Sequence, residues 1–227
     1  MKMHSNIYGW DYVWRDFADD KGGTVVQDDK QPGSPVMAIH IPIPQSKDTL
    51  TIKPWLPSGK KAFEATFATI SFRSDDDFAF AIWTENRIDQ LHKVLGMQDV
   101  RIGDDKFDKK FIVQANNDIF VKQLFADASL RDMLLDQPTC ELRLVPDASE
   151  HFPDHQIPAG HSVILYATDQ LMDKFEHLEA VLTTLQRVLE CLHATIGKTG
   201  AVPEENHNNQ VEQSGSRGRK LHSPLLD

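Results

Sequence analysis

Apolar residues recur at two different periods along this chain, and the switching between them predicts a mixed α+β fold. Trp10, Val13, Trp14 and Phe17 fall at i, i+3, i+4 and i+7, one stripe of a short helix ended by Gly22 and Gly23. The segment VMAIHIPIP alternates instead. Met37, Ile39, Ile41 and Ile43 share one face of a strand, with Ala38, His40 and Pro42 on the other. Pro42 and Pro44 lack amide donors, so this strand is expected to lie at a sheet edge or to end there. TLTIKPW predicts a further strand. AFEATFATISF is the clearest of all, with Phe63, Ala65, Phe67, Thr69 and Ser71 on one face and Ala62, Glu64, Thr66, Ala68, Ile70 and Phe72 on the other. The turn RSDDD then predicts that FAFAIW is its adjacent antiparallel partner.

Further along, Ile88, Leu91, Val94 and Leu95 predict a helix over 86–95 with Gly96 as its stop. GDD at Gly103–Asp105 reads as a turn before a strand that starts at Phe111. Asn116, Asn117 and Asp118 form a capping cluster ahead of a helix with Ile119, Val121, Leu124 and Phe125 as its apolar positions. Asp127 starts a second short helix, and Leu130, Met133 and Leu134 point inward from it. CELRLV is a strand with Cys140, Leu142 and Leu144 on one face, and HSVILYAT is a near-continuous apolar strand that closes the sheet. The longest helix is expected to be capped by Thr168 or Asp169. Its stripe of Leu171, Phe175, Leu178, Leu182, Leu185, Leu189, Leu192 and Ile196 ends at Gly197. Together these elements predict one α+β domain over residues 1–197. Its mainly antiparallel sheet has about seven strands, with the long C-terminal helix packed on one face. Residues 198–227 are polar, without the apolar content to offset the entropy of ordering, and read as a disordered tail.

Charge and composition narrow the function classes. The chain has 227 residues, 40% hydrophobic and 26% charged, enough for a substantial core. A net charge of −10 gives no general attraction to phosphate backbones, so nucleic acid is not expected as a partner. No window approaches the roughly 20 apolar residues of a membrane span. Charged residues at Asp11, Arg15, Asp16, Asp19 and Asp20 also break any signal-peptide core. Cys140 and Cys191 are too few for a disulfide framework and lie in apolar periodic segments, which points to buried reduced thiols and a cytoplasmic home.

The stretch LGMQDVRIGDDKFDKKFIVQANND, followed by VKQLFADASLRDML, resembles a pattern found in a family of uncharacterised bacterial proteins. There a Gly-Met-x-Asp-hydrophobic-x-Ile-Gly-Asp segment precedes Phe-Asp-x-x-Phe-hydrophobic-Val, a polar capping turn and a helix pair. The closing helix LMDKFEHLEAVLTTLQRVLECL looks like the terminal helix of that group. The likeness covers about half the chain. It implies a shared fold and no reaction, since no catalytic residue comes with it. In this reading Phe107 and Phe111 anchor a strand in the core, and Asp108 bonds local amides.

Candidate chemistry is sparse. His151, Asp154, His155 and His161 place three imidazoles and a carboxylate within eleven residues, side chains that zinc prefers. Their H-x3-H-x5-H spacing, broken by Pro153 and Pro158, is not that of a helical zinc site. There is no Gly-x-Ser-x-Gly elbow, phosphate loop or dinucleotide fingerprint, so no cofactor and no catalytic residue is assigned. The expectation is a non-enzymatic binding or interaction module for a protein partner or a small apolar ligand. The alternative is an enzyme of unassigned class, such as a metal-assisted hydrolase using the His151–His161 loop. The 4-3 stripe of the last helix, nearly 40 Å long at about 1.5 Å per residue, exceeds a strand of about 20 Å, which raises the expectation of a homodimer through that helix.

Overall fold

The computed structural model describes residues 9–28, 36–44, 46–55, 65–84, 97–149 and 157–199. Helix α1 (Trp10–Asp20) leads into strands β1 (Thr24–Asp28), β2 (Val36–Pro42), β3 (Thr49–Trp55), β4 (Ala65–Arg73), β5 (Phe80–Thr84) and β6 (Gln98–Asp99). Helix α2 (Asp105–Lys110), strand β7 (Phe111–Ala115), helices α3 (Asp118–Leu124) and α4 (Ala128–Leu135), strands β8 (Glu141–Val145) and β9 (His161–Thr168), and helix α5 (Phe175–Thr199) follow. The strands form one antiparallel sheet in the order β1-β2-β3-β4-β9-β8-β5-β7-β6.

Strand alternation decides which side the helices occupy. Ile39, Ile52, Ala68, Ile70, Phe72, Leu142 and Ile164 point to one face and join a single buried cluster with Trp14, Phe17, Leu130, Leu134 and the stripe of α5. Ala38, Ala81, Trp83, Val163 and Ala167 are buried on the opposite face and stand outside that cluster. Among the described residues the helices therefore lie over one face of the sheet, in keeping with the α+β expectation.

The sheet has nine strands rather than about seven. Strand β1 is an unforeseen edge strand of five residues, paired with β2 from Thr24↔His40 to Asp28↔Val36. Strand β2 does end at Pro42, so the edge falls to β1. The expected hairpin of β4 with β5 does not form. Strand β4 pairs with β3 and, over eight positions from Thr66↔Thr168 to Arg73↔His161, with β9. Strand β9 is thus central and does not close the sheet. Long-range pairing wins here because both strands present bulky apolar residues to the same core. Residues 74–79 span β9 and β8 and are tied down by Asn116. Its side chain accepts from Ala79 N (2.9 Å) and donates to Asp77 O (2.6 Å).

Three helix readings also change. Helix α2 was not legible, being too short to show a period. Asp104 caps it, accepting from Lys106 N and Phe107 N at 3.1 Å each. On α3 the inward residue is Phe120, stacked on Phe78 at 3.9 Å between ring centroids, while Ile119 is 64% exposed. Helix α5 starts at Phe175, not near Thr168, which ends β9, and it continues past Gly197 to Thr199. Leu171 and Met172 precede it in a loop whose backbone is held from the side. Thr66 Oγ1 donates to Gln170 O (2.8 Å) and accepts from Met172 N (3.0 Å), and Trp14 Nε1 donates to Met172 O (2.6 Å). Most of the apolar face expected in excess on the last helix is covered within the chain, with Leu171 and Ile196 at the ends of the stripe only partly buried. Phe175, Leu178, Leu182, Leu185, Leu189 and Leu192 are all buried within one chain, by the sheet together with α1, α3 and α4. The expected helix over 86–95 and all but two residues of the expected tail lie outside the described residues.

Candidate functional site

The GDDKFDKKF stretch builds a rigid support. Gly103 has φ 92°, a left-handed turn that an L side chain rarely adopts. The Asp108 carboxylate closes this turn by accepting from Ile102 N and Gly103 N at 2.9 Å each. Arg131 donates to Asp104 (3.1 Å), and the cap bond from Phe107 N is the first cause holding the Asp104 carboxyl below its usual range. Phe107 and Phe111 are both buried with ring centroids 4.8 Å apart, as expected of core anchors.

This support aims Lys110 at the turn after α4. Its ammonium donates to Leu135 O (2.6 Å) and to Gln137 O, with the charge 5.3 Å above the Phe111 ring. So held, the turn carries the Gln137 side chain inward, where Tyr166 Oη donates to its Oε1 (3.2 Å). That bond orients the amide and leaves Nε2 as a donor with no partner among the described residues. Beside it, at the end of β9, the Thr168 hydroxyl also meets no hydrogen-bond partner among them. Gln137 is 8% exposed and Thr168 3%.

Both groups line a cleft of about 170 Å³ between the α4–β8 turn, the end of β9 and the first turns of α5. Leu171, Met172 and Ala180 contribute an apolar wall, and His177 and Asp136 stand exposed at the rim. Two further clefts, of about 270 Å³ beside Leu189 and His193 and about 410 Å³ beside Arg101 and Asp108, are shallower. Among the described residues neither is lined by a buried polar side chain. Elsewhere the Ser71 Oγ, Trp83 Nε1 and Gln114 Oε1 atoms are buried without a partner on the sheet face away from the helices.

Chemically the first cleft is equipped to bind. His177 has no carboxylate or hydroxyl partner among the described residues, so it lacks the orienting group of an acid–base pair. The cysteines lie elsewhere. Both are buried and unbridged, and burial pushes the Cys191 thiol up, as expected of an inert thiol.

Of the predicted metal ligands only His161 is among the described residues. His161 opens β9, seven positions from Thr168 and hence about 23 Å away at roughly 3.3 Å per residue. Its ring Nδ1 lies 3.4 Å from Ala159 O. His151, Asp154 and His155 lie outside the described residues. Among those described, no three His, Cys, Asp or Glu side chains are placed to hold a metal. The sequence pattern points to Thr168 only as a helix cap and marks neither Lys110 nor Gln137. A glutamine in a turn and a threonine at a strand end look like ordinary solvated residues, and the only clue was Tyr166 at an inward position of an apolar strand.

Comparison with protein families, curated proteins and solved structures finds no match for this chain. No helix among the described residues is long and apolar enough to cross a membrane.

Proposed function

We propose that this chain is a non-enzymatic binding module that holds a small molecule in the cleft beside Gln137 and Thr168. One observation carries the reading: two polar side chains, each more than nine-tenths buried, turn unpaired hydrogen-bonding groups into the same cleft. Neither group has a partner among the described residues and both open on the cleft, so a ligand can take the place of water on each at a net gain of about 0.5–1.5 kcal/mol per bond. The apolar wall of Leu171, Met172 and Ala180 fits an apolar ligand body, and the two polar groups fix its orientation. The enzymatic alternative rests on the His151–His161 loop, of which only His161 is described. Two unbridged thiols fit a reducing compartment, and we place the protein in the cytoplasm.

Nuclear magnetic resonance titration with a varied set of ring-sized fragments tests this. Binders should shift resonances of residues 136–138, 166–172 and 177. Binders that gather at another surface, or none at all, would refute it.

A further inference from the structure

Resting on that reading, we infer that the ligand is a neutral molecule of about one ring that carries a carbonyl or comparable hydrogen-bond acceptor. Size comes first. A cavity of about 150 Å³ accepts benzene, so a cleft of about 170 Å³ takes one ring with a short substituent. Polarity follows from the Tyr166–Gln137 bond. With Oε1 occupied by the tyrosine hydroxyl, the glutamine presents only its Nε2 donor. Thr168 Oγ1 adds a second O–H donor on the wall of the same cleft, and a carbonyl, with two lone pairs, can accept from both. The cleft flanks the start of α5, the end of a helix that favours partial negative charge.

Charge is excluded by what the lining lacks. Among the described residues no lysine or arginine lines the cleft, and His177, exposed at the rim, is too well solvated to neutralise a carboxylate buried beside Tyr166. Asp136 is exposed and cannot offset the cost of burying an ammonium group deep between Tyr166 and Met172. The polar ends of both charged classes are therefore disfavoured, while an amide or ketone oxygen is matched.

Benzamide, benzoate and benzylamine share one ring and differ in charge, so they separate these classes on the full chain. By side-chain and backbone resonance shifts, benzamide should bind on the order of 1 mM, with the Gln137 side-chain NH2 among the groups most shifted. Benzoate and benzylamine should bind at least fivefold more weakly. Gln137→Glu keeps the acceptor for Tyr166 and removes the donor. Thr168→Val keeps the shape and removes the hydroxyl. Each should weaken benzamide at least fivefold while the remaining resonances stay in place. Tighter binding of benzoate or benzylamine at the cleft overturns the neutral class and leaves the binding-module reading intact. Unchanged or tighter benzamide binding by Thr168→Val and Gln137→Glu overturns the acceptor pairing. No shift at the cleft by any of the three probes overturns the neutral-acceptor assignment, and the fragment set then decides separately whether the cleft binds at all.

Discussion

The Lys110 ammonium group donates to the main-chain oxygen of Gln137, twenty-seven residues away. Lys110 ends the helix of the GDDKFDKKF stretch, and Gln137 supplies the free donor of the cleft. A segment read as purely architectural therefore sets the position of a candidate ligand contact. Hydrogen bonds from a charged donor contribute about 1.5–3 kcal/mol each, and Lys110 makes two to this turn. In Lys110→Met, amide hydrogen exchange over residues 135–138 should accelerate at least tenfold, with the strands unchanged. Unaltered exchange there would remove Lys110 from any positioning role.

Phe111→Ala and Phe107→Ala should each cost about 3–5 kcal/mol, because both rings are buried against one another and Phe107 also against Phe125. Denaturant melts measure this. A loss below about 1 kcal/mol would mean the ring is no part of the core.

Trp14→Phe keeps most of the aromatic bulk and removes the indole N–H that donates to Met172 O. The orphaned buried carbonyl should cost about 1–3 kcal/mol. The loop from Asp169 to Lys174, which forms one wall of the cleft, should lose exchange protection in the same variant. A neutral outcome in both measurements would show that the bond is dispensable.

Gly23→Ala places a Cβ 2.4 Å from His40 O and 2.6 Å from Ile41 Cδ1. The first neighbour is backbone and cannot swing away, so α1 and β2 must separate. The expected loss is at least about 1–3 kcal/mol by thermal or chemical melt. Gly22→Ala is the control. Its Cβ meets nothing within 4 Å, so any cost there comes from its φ of 65° alone.

His40 is half-buried, and burial followed by the nearby Lys53 charge holds its pKa below the ordinary value. The folded state thus resists a proton that the unfolded chain accepts. This contribution is fully present above about pH 6.5 and is lost progressively as the pH falls towards the lower folded value. Relative to His40→Gln, the wild type should lose stability between about pH 7 and pH 5. Parallel pH profiles of the two proteins would contradict the shift.

Local patterns in the chain were sufficient for element type wherever a period or a cap acts over a few neighbouring residues. The stripe of α1, the inward faces of β2, β4 and β8, the Asn117 and Asp127 caps, the Asp108 turn and the buried pair Phe107 and Phe111 are of this kind. A 3.6 or 2.0 residue repeat and a side chain bonded two or three residues away are properties of contiguous sequence. Tertiary structure alone decided strand order. The insertion of β9 and β8 between β4 and β5 depends on a shared apolar core formed by residues about 100 positions apart. It also decided where α5 begins, since Thr66 and Trp14 capture the backbone of Gln170 and Met172 across the sheet. The cleft belongs to the same class. Gln137, Tyr166, Thr168 and Lys110 carry no motif, and their chemistry exists only because a turn, a central strand and a short helix meet at one point.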